Sequence, residues 1–206
     1  MKVFICGTDT DIGKTVISSW LTLHMDATYF KPIQTGISEG NTDSMTVKNL
    51  SQGKIHQEKF VYKKALSPHL AAKLENERID IDKIILPQEE NLIVEGAGGL
   101  LVPINDEYLM IDLIKKLNIS VIIVTSAKLG TINHTLLCIE ALRTRKIDIL
   151  GVIMNGEDKN ENMEAIEFYG KTQVIAQFPY LSKISYNTLK DIPLPERLVK
   201  ILRDTQ

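Results

Sequence analysis

The sequence predicts an α/β fold, a doubly wound and mostly parallel sheet with helices on both faces. Three observations predict it. The apolar runs are short, rich in Ile and Val and not alternating, as in strands buried on both faces. Segments with helical spacing separate them, so the order is strand, helix, strand, helix. The chain opens with a strand, a glycine-bounded loop and Gly-Lys-Thr at the head of an apolar helix, the layout of a phosphate cradle. The length of 206 residues suits a single domain, 1–206, of P-loop NTPase-like architecture with a sizeable core.

Taken in order, Lys2–Cys6 reads as the first strand, with Val3–Cys6 its apolar part. Gly7-Thr8-Asp9-Thr10-Asp11-Ile12-Gly13-Lys14-Thr15 follows, one residue longer between its glycines than the usual loop. Its backbone N–H groups, and those that start the helix Lys14–Leu23, offer partial positive charge to a polyphosphate. Lys14 adds a full charge near the β- and γ-phosphates, and the Thr15 hydroxyl suits Mg²⁺. Further strands are expected at Thr28–Phe30, Leu92–Val94, Val121–Thr125, Ile149–Met154 and Val174–Phe178. Helices are expected at about Thr42–Leu50, Asp80–Leu86, Leu109–Leu117, Thr131–Arg145 and Asn160–Gly170, with a terminal one at Pro195–Arg203. Ser51–Ala65 is polar and shows no clear period, and Pro179–Pro195 is rich in loop residues.

Composition narrows the function classes. Apolar residues make up 44% and charged residues 24%, as in an ordinary soluble protein. A net charge of −2 and a pI near 6.1 give no nucleic-acid footprint and no polybasic membrane patch. No apolar stretch is long enough to span a bilayer, and the N-terminus has no signal-peptide anatomy. Cys6 and Cys138 lack metal-ligand spacing and read as buried thiols of a reducing compartment, which implies the cytoplasm.

Every other chemical motif follows an expected strand, where ligands of such sheets collect. Lys31-Pro32-Ile33-Gln34-Thr35-Gly36 reads either as an ordinary surface turn or as a second lysine and a hydroxyl beside the γ-phosphate. Asp43 is either a first-turn carboxylate favoured by the helix dipole or a Mg²⁺ ligand. Glu95-Gly96-Ala97-Gly98-Gly99 puts a carboxylate at the tip of a buried strand, where a metal ligand is expected, and its glycines let a substrate approach the backbone. His69, in Ser67-Pro68-His69, reads first as a capping or packing histidine and second as a base. The N–H groups that start the helix after Lys128-Leu129-Gly130 suit a carboxylate or another anion. Asn155 ends a strand where an amide meets a base edge, and Pro179-Tyr180-Leu181 offers that base backbone contacts and an apolar face.

Together these segments resemble the dethiobiotin synthetase family over nearly the whole chain. The long first loop is shared more widely; its combination with Lys31-Pro32, Thr35-Gly36 and Glu95-Gly-Ala-Gly-Gly is far more specific. The resemblance implies ATP, Mg²⁺, CO₂ or bicarbonate and 7,8-diaminopelargonate as reactants, dethiobiotin as product, and a homodimer with its active sites at the interface. It implies Lys14 and Lys31 as catalytic residues and Thr15, Asp43 and Glu95 around Mg²⁺. Thr10, Asp11, Ile12, Gly13, Lys14, Thr15, Val16, Glu95 and Gly98 would hold the nucleotide, with Asn155, Pro179 and Leu181 around its base. Thr10, Lys31, Thr35 and Gly98 would contact the diamine, and Gly130, Thr131 and Asn133 of the partner subunit its carboxylate tail. Gly156 stands where many relatives carry Asp, and the chain after Pro179 is compact, so looser base discrimination than the family norm is expected. A partitioning-type ATPase would need a membrane-binding tail or a basic DNA face, which the charge disfavours. An amidoligase would need a glutaminase domain. A nucleotide-binding regulator would leave two lysines and two carboxylates on one triphosphate unexplained.

Overall fold

The computed structural model describes residues 1–157 and 161–205; Asn160, the expected first residue of a helix, lies outside them. The strands are β1 (Lys2–Gly7), β2 (Thr28–Phe30), β3 (Ile33–Thr35), β4 (Lys54–His56), β5 (Phe60–Tyr62), β6 (Leu92–Gly99), β7 (Ser120–Ser126), β8 (Ile149–Asn155) and β9 (Val174–Phe178). The helices are α1 (Lys14–His24), α2 (Asp43–Ser51), α3 (Pro68–Leu74), α4 (Met110–Leu117), α5 (Thr131–Thr144), α6 (Glu161–Gly170), α7 (Tyr186–Lys190) and α8 (Glu196–Arg203). A 7-stranded sheet runs in the order β4-β2-β6-β1-β7-β8-β9. All its pairings are parallel. The expected doubly wound α/β architecture is the one observed.

Burial on both faces explains why the strands do not alternate in polarity. Val3 and Ile5 join Ile17, Trp20, Val47 and Leu198 in one core, whereas Phe4 and Cys6 join Ile114, Ile139 and Ile166 in the other. Both sides of the pleat are therefore dry. On the first face α1 is pinned by Trp20, whose ring meets Phe178 edge-on at 5.2 Å. Its indole N–H donates to the Ile192 carbonyl at 2.7 Å. Loss of that ring costs about 3–5 kcal/mol by the usual core-truncation scale. The chain lays β2, β4 and β6 to one side of β1 and β7, β8 and β9 to the other. The crevice at the carboxyl ends beside such a switch point is where ligands bind.

Several local expectations differ from what forms. Asp80–Leu86 is not a helix; only Ile81–Lys83 makes one 3₁₀ turn, capped by the Asp80 carboxylate on the Asp82 N–H. Ile79 and Ile81 are both buried, a two-residue spacing that suits extended chain and not a helix. The Ser51–Ala65 stretch holds β4 and β5. β4 is an edge strand with Lys54 and His56 exposed, so it has no apolar signature. The turn after Lys31 contains β3, which pairs with β5 in a small second sheet. The loop-rich tail contains α7, started by a Ser185–Thr188 capping box. β6 runs on to Gly99, so Glu95 lies within the strand opposite Ile5.

Candidate active site

The phosphate loop is shaped by close approach. A Cβ on Gly7 would lie 2.8 Å from the Ile12 side chain, 2.9 Å from that of Lys14 and 3.0 Å from the Asp9 carbonyl, so glycine gives the loop room to fold back on β1. Gly13 has φ +95°, a conformation natural to glycine, and it starts α1 with no side-chain cap. The uncapped N–H groups at that end are the donors a phosphate needs. The Asn155 amide packs against Gly13, and its Nδ2 donates to the Ile12 carbonyl at 2.8 Å. Asn155 thus ties the tip of β8 to the loop, a contact that a base-reading role does not anticipate.

Three elements bring charge to one point. Thr15 follows Lys14 on α1, Asp43 opens α2 behind its N-cap Thr42, and Glu95 comes from β6. Thr15 Oγ1 lies 3.0 Å from Asp43 Oδ1 and 2.9 Å from Glu95 Oε1, donating its one proton to either. Lys31, one residue beyond β2, reaches Asp43 Oδ2 at 2.8 Å and Glu95 Oε1 at 3.3 Å, and donates to the Gly96 carbonyl at 3.2 Å. Gln34 Oε1 accepts from the Asp43 N–H at 3.1 Å and fixes the head of α2. A cleft of about 380 Å³ opens over this group, lined also by Thr10, Asp11, Gly13, Val16, Thr35 and Gly98.

The lysines differ in their electrostatics. Burial pulls the Lys14 ammonium below its ordinary range; Glu95 opposes this and Lys31 adds to it. Lys14 Nζ donates to the Asp9 carbonyl at 2.8 Å. Burial would lower Lys31 as well, but Glu95 and Asp43 outweigh it and hold its pKa above the ordinary lysine value. Burial would raise Asp43, but the charge and hydrogen bond of Lys31 prevail and lower it. Among the described residues no group of three or more His, Cys, Asp or Glu side chains forms a metal cage. The Thr15 hydroxyl and two carboxylates nevertheless fit Mg²⁺, which takes few protein oxygens and fills its octahedron with water and phosphate.

A second cavity of about 770 Å³ adjoins the first, with Ile12, Val16, Asn155, Phe178, Pro179 and Leu181 in its walls. Thr131 and His134 line it as well. Gly130 heads α5 at φ +95° without a side-chain cap, but neither it nor Asn133 lines either cavity of its own chain. The Thr131 hydroxyl is committed to a buried cluster: Thr125 Oγ1 lies 2.7 Å from it, 2.9 Å from Thr135 Oγ1 and 3.4 Å from Thr8 Oγ1. His69 stays outside both cavities, where its backbone N–H donates to the Pro103 carbonyl at 3.3 Å. Sequence reasoning missed Tyr29, whose hydroxyl donates to Glu95 Oε2 at 3.1 Å. The available signal was parity: Tyr29 and Lys31 lie two residues apart and so share a side of the extended chain.

A family model described as an AAA domain matches residues 1–188. The chain is 55% identical over 201 residues to the ATP-dependent dethiobiotin synthetase BioD of Lawsonia intracellularis, covering 98% of each protein. It is 46% identical over 195 residues to the protein of that name from Paramagnetospirillum magneticum, covering 94% of this chain and 95% of the relative. In structure it is similar to a ParA family ATPase from Chlorobium tepidum TLS, with a TM-score of 0.61 at 12% identity over 98% of this chain and 96% of the other. That likeness speaks for the fold alone.

Proposed function

The chain belongs to the ATP-dependent dethiobiotin synthetase family, and from that premise we propose that it closes 7,8-diaminopelargonate and CO₂ into dethiobiotin at the expense of ATP, the penultimate step of biotin synthesis. One amine takes up CO₂ as a carbamate with loss of a proton, and a carbamate oxygen attacks the γ-phosphorus and expels ADP. The second amine attacks the resulting carbamic–phosphoric anhydride, closes the ureido ring and expels phosphate. The protein's task is positioning and charge stabilisation.

The observation that carries this reading is the convergence of Lys14, Thr15, Lys31, Asp43 and Glu95 on one cleft. Lys14 and the N–H groups at the head of α1 bind the β- and γ-phosphates. Lys31 stabilises charge on the phosphoryl and carbamate oxygens. Thr15, Asp43 and Glu95 would hold Mg²⁺, which when bound would supply positive charge against the phosphates. Thr10, Thr35 and Gly98 line the diamine side, and the second cavity takes the base. Gly130, Thr131 and Asn133 serve the carboxylate tail of a diamine bound in the partner subunit. The exposed Leu101, Leu129 and Leu137 around the start of α5 support a homodimer interface there. The reading includes one domain, 1–206, and a cytoplasmic site of action, supported by the free thiols Cys6 and Cys138. No helix of the described residues is long and apolar enough to cross a membrane.

The test is phosphate release from Mg-ATP with bicarbonate, with and without the diamine, and mass detection of the product. Diamine-dependent phosphate and a product gaining one carbonyl are expected. ATP hydrolysis indifferent to the diamine would overturn the substrate assignment. Sedimentation of the protein at micromolar concentration as a monomer would overturn the dimer.

A further inference from the structure

We propose that Tyr29 is a positioning residue of the active site: its buried hydroxyl holds Glu95 Oε2 and thereby turns Oε1 toward Thr15 and Lys31 at the cation end of the cleft. This rests on the reading of Thr15, Asp43 and Glu95 as the Mg²⁺ site. Glu95 is 1% exposed and Tyr29 is fully buried, so the carboxylate has no water to satisfy it and needs protein donors. Thr15 Oγ1 and Lys31 Nζ both approach Oε1, at 2.9 and 3.3 Å. Oε2 accepts from Tyr29 at 3.1 Å. The terminal torsion of a glutamate is soft and nearly two-fold, so its own rotamers do not choose which way the oxygens point. A fixed donor on one oxygen does.

Tyr29 is built to be that donor. It sits on β2 opposite Ile93 of β6, two residues before Glu95 and on the same side of that strand. The offset is about 6.6 Å at the usual strand rise, a span the length of a tyrosine side chain bridges. A phenol is protonated at neutral pH, so its O–H donates to the carboxylate oxygen. The ring carbons fill the core beside Val3, Ile17 and Ile93, and only the oxygen serves the site.

The experiment is titration calorimetry of a non-hydrolysable ATP analogue, AMPPNP, with and without Mg²⁺, on the wild type and on Tyr29→Phe. The Mg²⁺-free affinity should stay the same, and the enhancement by Mg²⁺ should fall about tenfold or more, as for lost outer-shell partners of metal ligands. In a Glu95→Gln background Tyr29→Phe should have no further effect. Equal enhancement in wild type and Tyr29→Phe overturns the proposal, as does an equal loss in both backgrounds, which marks a purely structural role. Absence of any Mg²⁺ enhancement in the wild type overturns the metal reading instead. Should Tyr29→Phe fail to fold, 3-fluorotyrosine incorporated at position 29 alone keeps the hydroxyl. Its fluorine resonance should move when Mg²⁺ joins the AMPPNP complex, and an unmoved resonance overturns the proposal.

Discussion

Lys14 and Lys31 are 7% and 4% exposed and face one cleft, yet their surroundings are opposites. Among the described residues Lys14 donates to a backbone carbonyl and to no carboxylate; Lys31 is clasped by Asp43 and Glu95. Burial has lowered the pKa of the first, and carboxylates have raised that of the second. Lys14 thus keeps its charge for an incoming anion. Lys31 instead offsets one of two carboxylate charges and is held in place by both of them. Binding and chemistry are therefore separable by mutation, one lysine at a time.

The largest expected effect comes from breaking the ion-paired side. Lys31→Ala should lower turnover about 10²–10³-fold, the usual cost of a transition-state charge donor. Nucleotide affinity should hold within about tenfold, since Lys14 and the loop remain. Steady-state kinetics beside calorimetry reads this, and turnover within a few-fold of wild type would remove Lys31 from the chemistry. Next comes Lys14→Ala, expected to weaken triphosphate binding by about 10–100-fold, the worth of a charged hydrogen bond. The free protein should not lose stability, and its urea midpoint at neutral pH should rise. A fall in that midpoint would contradict the picture of an unrequited cation.

The pH dependence of stability sharpens the same contrast. Asp43 has a folded pKa below its unfolded value near 4. Its contribution is present above that value and lost as pH falls through the folded one. Lys31 has a folded pKa above its unfolded value near 10.4, so its contribution is present below that value and lost as pH rises through the folded one. Lys14 runs the other way: its protonated form costs stability at neutral pH, and the cost is relieved as pH rises. The gain from Lys14→Ala should therefore vanish in alkali.

Smaller effects lie toward the base. Asn155→Ala removes the tie to Ile12 and should weaken inorganic tripolyphosphate about fivefold, from about 1 kcal/mol for one hydrogen bond. A base-reading role alone would leave that ligand, which has no base, unaffected. Tyr180 is 72% exposed, and Tyr180→Ala should change ATP affinity by under about threefold. Comparison of ATP, GTP and CTP by kcat/KM tests the looser discrimination expected from Gly156 and the short base-side chain.

How much of this was legible follows from locality. Lys14 and Thr15 sit in one contiguous motif, so both were legible as candidates at once. Asp43 and Glu95 were readable as candidates at a helix start and a strand end. Their meeting at Thr15 spans 28 and 80 residues and became visible only with the sheet in place. Tyr29 looked like one more aromatic strand residue because its purpose lies 66 residues away. The edge strand β4 went unseen since Lys54 and His56 are exposed and only Ile55 packs on the core, too little for an apolar signature. The Asp80–Leu86 helix failed because a buried Ile79–Ile81 pair outweighed local propensity.

The central place of β1 carries a consequence for how the molecule is made. Its flanking partners are β6 and β7, with Lys2 opposite Leu92 and Val3 opposite Ser120. At about 5–20 residues per second, the ribosome delivers those neighbours many seconds after the first strand has emerged. Until then an apolar strand with open edges waits beside a phosphate socket that has no walls. A circular permutant starting at Glu90 would reverse that order: β6 and β7 would be present before β1 is translated, and the nucleotide site would assemble last onto a finished frame.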